Sequence, residues 1–165
     1  MSTTGVRFQA ITNAESPGFW KLCCEGLDPV EAYFGPEGKD TRPRPQDRYF
    51  VAIDPSPVAL IWLQRRAPTT MAFGFGLFPA YRNRGLGPLV RDAAYDFIFQ
   101  MAGVHKLESE IYESNEHSLA ALHRGSRARA REEGRQRETI QVAGTYYDRI
   151  LFGITKGEWQ AVRFQ

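Results

Sequence analysis

Apolar residues Phe19, Leu22, Cys23 and Leu27 recur close to a helical period between Glu15 and Leu27. With Ser16 and Pro17 as cap and first-turn proline, this spacing predicts a helix. Gly35 to Asp47 mixes two glycines and three prolines with charges, the chemistry of a loop and a flap. At Arg48 the texture changes. Tyr49 to Ile53, a turn at Asp54-Pro55-Ser56-Pro57, and Val58 to Gln64 predict an antiparallel hairpin. Thr70 to Phe78 is a third strand, with Phe73, Phe75 and Leu77 on one side and Gly74 and Gly76 leaving the other almost bare. Alternate strand glycines mean either a packing notch or close approach of a backbone or ligand, and the pattern leaves both open. Pro88 to Met101 carries Leu89, Ala93, Phe97 and Met101 at helical spacing. Lys106 to Tyr112 reads as a strand, Asn115 to His123 as a short helix, and Thr139 to Val142 with Tyr146 to Ile154 as a closing hairpin.

This alternation places the chain in the mixed α/β class. Its 165 residues, 42% of them apolar, suit one domain over residues 1–165 that needs no staple, since burying about 70% of the unfolded surface is usual at this size. Residues 1–47 form an N-terminal helical and flap segment, and residues 48–160 the core. Cys23 and Cys24 are adjacent and there are no other cysteines, which excludes a disulfide framework and a cysteine-rich zinc site. Met1 to Thr12 lacks the apolar run of a secretory signal. The longest apolar stretch, near Pro57 to Leu63, falls far short of the roughly 20 residues of a spanning helix, so a cytoplasmic location without membrane contact is expected. A net charge of +2 from 21 basic and 19 acidic residues gives no reason to expect a nucleic-acid partner. Locally, six arginines lie between Arg124 and Arg137 against Glu132 and Glu133; they either grip an anion, such as an acidic acceptor, RNA or a phosphate, or form a solvated face.

Between the third strand and the second helix stands Pro79-Ala80-Tyr81-Arg82-Asn83-Arg84-Gly85-Leu86-Gly87. A loop there aims unpaired N–H groups at whatever sits over the helix N-terminus, where the dipole favours negative charge. Gly85 and Gly87 let an oxyanion approach, and Arg82 and Arg84 add positive charge. A P-loop would need lysine and a hydroxyl after Gly87, and the three-glycine dinucleotide pattern is not met.

Arg82-Asn83-Arg84-Gly85-Leu86-Gly87 resembles the Gln/Arg-x-x-Gly-x-Gly/Ala pyrophosphate pattern of the GNAT acyl-CoA N-acyltransferases, and Phe75 to Tyr81 looks like that family's fourth strand entering its loop. Lys106 to Ser118, with Asn115 and Ser118 in an Asn-x-x-Ser helix start, resembles the branch that acetylates ribosomal-protein N-termini. Residues 132–138, 144–148 and 156–159 look like that branch's ending. The resemblance implies a GNAT fold, a twisted and mainly antiparallel mixed sheet flanked by helices. It also implies acetyl-CoA as cosubstrate, no metal, a primary-amine acceptor and, commonly, a homodimer through the closing strands. The acceptor would be a protein N-terminus, or a small molecule such as an amino sugar or polyamine. By the same resemblance the backbone of Leu77 and Phe78 holds the pantetheine arm, residues Arg82, Asn83, Arg84, Gly85, Leu86 and Gly87 hold the pyrophosphate, and Asn115 and Ser118 hold the far end of the arm.

The chain departs from the family where chemistry is expected. Ala72 stands where many relatives carry a carboxylate on the fourth strand, and Leu122 where many carry a tyrosine as general acid. His123 is the substitute acid, although one residue along a helix it points about 100° elsewhere. Glu108 and Glu110 share one face of a strand, so either is a candidate general base or part of a salt-bridged face. Tyr146 and Tyr147 either supply a hydroxyl or are buried. His105, His117 and His123 lack metal-ligand spacing. Two rivals to the transferase remain: a non-catalytic acyl-CoA-binding or sensing module that has lost turnover, and a generic nucleic-acid-binding domain.

Overall fold

The computed structural model describes residues 5–27, 48–53, 55–123 and 129–163. They form β1 (Arg7–Ile11), α1 (Ser16–Cys24), β2 (Arg48–Ile53), β3 (Pro57–Ala67), β4 (Thr70–Leu77), a 3-10 turn (Pro79–Tyr81), α2 (Leu86–Phe99), β5 (Lys106–Tyr112), α3 (Glu116–His123), β6 (Arg131–Val142), β7 (Thr145–Thr155) and α4 (Lys156–Arg163). The expected flap at Gly35 to Asp47 lies outside the described residues, as do Arg124 and Arg127. Seven strands form one mixed sheet in the order β1-β2-β3-β4-β5-β7-β6. Every neighbouring pair is antiparallel except β4 with β5, as the resemblance implied.

On one sheet face α2 and α4 close a core in which Tyr95 meets Phe73 and Trp159 edge to face, at ring separations of 5.5 and 5.4 Å. Burial pushes the Tyr95 phenol up to about 12. Helix α1 covers the other face through Cys23, which packs with Leu60, Phe78, Trp20 and Trp62. Two reciprocal Thr-x-x-Glu pairs set helix starts. Thr12 N–H donates to Glu15 at 2.7 Å and Thr155 N–H to Glu158 at 2.9 Å, while each glutamate N–H returns to the threonine hydroxyl. The cap expected from Ser16 is absent; its hydroxyl is buried and donates to the Asn13 carbonyl at 3.0 Å.

Four sequence expectations change. Helix α2 begins at Leu86, so Pro88 sits in its first turn, where a missing N–H leaves no bond unmade. The N-terminal stretch forms an edge strand, β1. The last residues form a helix, α4. Strand β6 starts at Arg131, well before Thr139, so much of the arginine run lies on a sheet edge. Charges on an edge strand discourage unspecific edge-to-edge aggregation.

Gly74 and Gly76 resolve as a packing notch. A Cβ at Gly74 would overlap the Trp62 indole, and one at Gly76 would stand 3.1 Å from Cys23 Cβ. Protein side chains occupy the bare face that the sequence left open to a ligand. Gly74→Ala is therefore expected to destabilise the fold by about 1–3 kcal/mol through overpacking, and Trp62→Leu in the same background to relieve the overlap. Urea unfolding of the single and double variants checks this; an unchanged midpoint for Gly74→Ala would place Trp62 elsewhere.

Candidate active site

The parallel pair β4–β5 is short. Thr70, Met71 and Ala72 pair with Lys106, Leu107 and Glu108, yet β4 runs on to Leu77 and β5 to Tyr112. Beyond Ala72 the strands part and leave a cleft inside the sheet. At its start Ser109 Oγ donates to the Phe73 carbonyl at 3.0 Å, a side chain bridging what a ladder bond no longer spans. The Phe78 N–H donates to the Val58 carbonyl at 3.0 Å. By antiparallel alternation the main-chain groups of Phe73, Phe75 and Leu77 therefore point away from β3, into the cleft.

The glycine loop lies at the end of β4. Asn83 and Gly85 adopt positive φ of 57° and 74°, which ends the 3-10 turn and swings the chain into α2. Among the described residues no acceptor meets the N–H groups of Asn83 to Gly87. A Cβ at Gly85 would enter open space, and one at Gly87 would be 3.8 Å from Leu77 Cδ1. Open donors over a helix N-terminus, beside exposed Arg84, fit the pyrophosphate of a coenzyme.

Arg82 corrects the expectation of two phosphate-facing arginines. Its guanidinium turns back and donates to three main-chain carbonyls: Leu77 at 3.1 Å, Glu25 at 2.6 Å and, through a short contact, Cys23. It ties the C-terminal end of α1 to the end of β4, two regions far apart in sequence. Arg84 alone keeps its charge clear of partners among the described residues.

The expected pantetheine residues are also largely engaged. The Leu77 carbonyl is held by Arg82, the Phe78 N–H by Val58, and the Phe78 carbonyl by the Tyr81 N–H at 2.9 Å. The Leu77 N–H remains, directed into the cleft by alternation. Asn115 Oδ1 accepts the Ser118 N–H at 3.0 Å and caps α3. Sequence reasoning missed Ser109 and Ser114. The Ser114 hydroxyl, next to Asn115, is buried without a hydrogen-bond partner among the described residues. It also missed the environment of Cys23, whose thiol donates to the Gly76 carbonyl at 3.2 Å and is pushed up to about 12, chiefly by burial. A thiol so held is inert. Nothing in a serine or cysteine codon run signals such contacts.

On the face of β5 opposite the Tyr95 core, Glu110 is the first residue beyond the last paired position. Arg66 meets one of its oxygens at 3.1 Å and Arg149 the other at 2.9 Å. Glu108 pairs with Lys106 at 3.1 Å, and Lys106 with Glu133 at 2.6 Å. Ala72 and Leu122 are buried, Leu122 against Ile150 and Phe152. His123 ends α3, and its side chain lies outside the described residues. Tyr146 is exposed rather than buried. Two of the four described arginines of the run are paired: Arg131 with Glu158 at 2.9 Å, and Arg135 with Glu113 at 2.9 Å and Asp148 at 3.4 Å. These are surface ion pairs, the solvated-face alternative. Among the described residues no group of three or more histidine, cysteine or acidic side chains is placed to hold a metal ion, and no helix is long and apolar enough to cross a membrane.

A family model for the acetyltransferase (GNAT) domain matches residues 27–125, more than half of the chain. Among solved structures, the spermidine N-acetyltransferase of Vibrio cholerae in complex with CoA and spermine superposes with a TM-score of 0.75 at 16% identity, covering 95% of this chain and 99% of that one. A chimera of that enzyme with hSSAT gives 0.74 at 17% identity, with the same coverage. A Streptococcus mutans protein, smu.2055, gives 0.70 at 13% identity, covering 90% of this chain and 98% of that one. At such identities the likeness is one of fold.

Proposed function

The chain belongs to the acetyltransferase (GNAT) family, an acyltransferase family that uses acetyl-CoA, and from that premise we propose that it acetylates a primary amine by direct attack in a ternary complex. The observation that carries this reading is the parting of β4 from β5 beyond Ala72, with open loop N–H groups at the end of β4. A single domain over residues 1–165 with its coenzyme-binding core at 48–160 fits this reading. The Leu77 N–H and the groups of Phe75 are placed to hold the pantetheine arm as a further strand would be held, and the loop Arg84 to Gly87 the pyrophosphate.

In the transfer the amine nitrogen bonds to the thioester carbonyl carbon, the C–S bond breaks, the sulfur leaves as thiolate, and the proton given up by the nitrogen passes through solvent water to that thiolate or to bulk. Ala72 and Leu122 supply no acid or base. Both oxygens of Glu110 are already met by guanidiniums. We assign most of the acceleration to holding amine and thioester together, which can supply several kcal/mol without a dedicated base. Glu110→Gln is accordingly expected to lower kcat less than about tenfold. A loss of about 100-fold or more, the scale of a lost general base, would make Glu110 that base.

A protein N-terminus is the first-choice acceptor, on the likeness of residues 106–118, 132–138, 144–148 and 156–159 to the ribosomal-protein N-terminal branch. The polyamine bound by the Vibrio cholerae neighbour makes spermidine the small-molecule competitor. A cytoplasmic setting and a dimer through the closing strands fit this reading; two free cysteines favour a reduced compartment. The absence of acid and base at residues 72 and 122 specifically favours a second reading, an acyl-CoA sensor without turnover. Calorimetric titration with acetyl-CoA, followed in the same sample by thiol release against peptides and small amines, separates them. Binding with release establishes the transferase, whereas tight binding without release on any acceptor supports the sensor.

A further inference from the structure

The open end of the β4–β5 cleft is walled on one face by a charge cluster that the transfer chemistry does not use. Strand β4 lies between β3 and β5, so the Arg66 side chain must cross β4 to reach Glu110. It crosses on the face where Ala72 presents only a methyl group. From the other side Arg149 of β7 meets the same carboxylate, and its Nε donates to Gln136 Oε1 at 2.8 Å. Among the described residues Glu110 is the one carboxylate paired with either arginine. Two guanidiniums against one carboxylate leave the cluster with a net charge of +1. All three side chains keep about a third of their surface exposed, at 39, 31 and 28% for Arg66, Glu110 and Arg149. At the closed end of the pair, Lys106 holds both Glu108 and Glu133, so those carboxylates too are spoken for.

The glycine loop leads into α2, which packs on the Tyr95 face, and the proposed transfer has the thioester reach across the cleft to the opposite face, the face of Glu110. An acceptor amine arriving at the open end of that face meets the +1 of this cluster, whereas the Lys106–Glu108–Glu133 trio at the closed end carries a net −1. From this we infer that the acceptor carries a carboxylate close to its amine, received by Arg66 and Arg149 with Glu110 holding the two guanidiniums apart, and that a polycationic amine is disfavoured. Guanidiniums suit carboxylates geometrically, and like-charge juxtaposition is an effective way to reject a wrong partner. The inference deepens the proposed amine transfer and rests on it for the position of the acceptor. It also separates this chain from the neighbour that binds spermine, with which it shares a fold.

The test compares a Ser-Asp-Asp peptide amide, a Ser-Lys-Lys peptide amide and spermidine, in two readouts. One is thiol release from acetyl-CoA; the other is calorimetric binding of each compound to the CoA-loaded protein. Expected is a preference of about tenfold or more for the acidic peptide over both cations, reduced in Arg66→Gln and Arg149→Gln, strengthened in Glu110→Gln, and shrinking as salt rises. Arg66 is an exposed residue whose pairing contributes little to stability, so its variant remains folded and interpretable. Turnover that favours spermidine or the basic peptide overturns this inference and leaves the transferase standing. Binding that favours the acidic peptide without turnover on any compound supports the inference while the transfer reading fails. Equal treatment of all three compounds in both readouts overturns it.

Discussion

Gly85→Glu is expected to weaken acetyl-CoA binding by about 100-fold or more, equivalent to ~2.7 kcal/mol, while leaving the fold largely intact. Gly85 caps α2 at φ 74°, a left-handed conformation that costs an ordinary L-residue about 1–2 kcal/mol. Its missing side chain faces open space, and a Cβ there meets no atom of the described residues within 4 Å. A glutamate there puts a negative charge at the proposed pyrophosphate position, and covers N–H groups that no acceptor among the described residues meets. Gly85→Asn is the control, because asparagine tolerates the left-handed region and adds no charge. Calorimetry should find Asn close to wild type and Glu far below it. Equal affinity in all three would remove the loop from the coenzyme site.

Arg82→Met should produce the largest change in stability. Three carbonyls, from Leu77, Cys23 and Glu25, lose a charged donor at once. A charge-assisted hydrogen bond contributes about 1.5–3 kcal/mol and two of the three contacts, those to Leu77 and Cys23, are partly buried, so a net loss of about 3 kcal/mol is expected, or roughly 10 °C in Tm for a chain of this size. Because the guanidinium joins α1 to the end of β4, coenzyme affinity should fall with stability. Arg82→Lys should rescue only a minor part, since one ammonium cannot fork to three acceptors on two elements. Thermal unfolding with and without acetyl-CoA reads both effects. A methionine variant with unchanged Tm would contradict the clamp.

The contrast between these residues shows what a sequence discloses. Gly85 was legible because its role is local: a glycine between a strand and a helix has few uses, and the spacing to Gly87 repeats a known loop. Arg82 belongs to the same motif, yet two of its three partners are main-chain carbonyls at the C-terminal end of α1, 57 and 59 residues away. Backbone groups carry no residue identity, so no pattern announces them. The same limit hid the filling of Gly74 by Trp62, which becomes visible only once β3 and β4 pair with those two residues opposite. Periodicity found β2 to β5, where apolar residues alternate or run continuously along the sequence. It missed β1, whose five residues are mostly exposed, and the first half of β6, where charge on an edge strand looks like a basic tail. Glu110 was found as a residue, and its two arginine partners depend on β3, β5 and β7 being brought side by side.

The cleft between β4 and β5 is the centre of this account, and amide hydrogen exchange with and without acetyl-CoA tests it most directly. The account predicts added protection at Phe75 and Leu77 and at Gly85 to Gly87, with little change in β1 or β6. Saturating acetyl-CoA that leaves these amides exchanging as before, or protects a different surface, would contradict it.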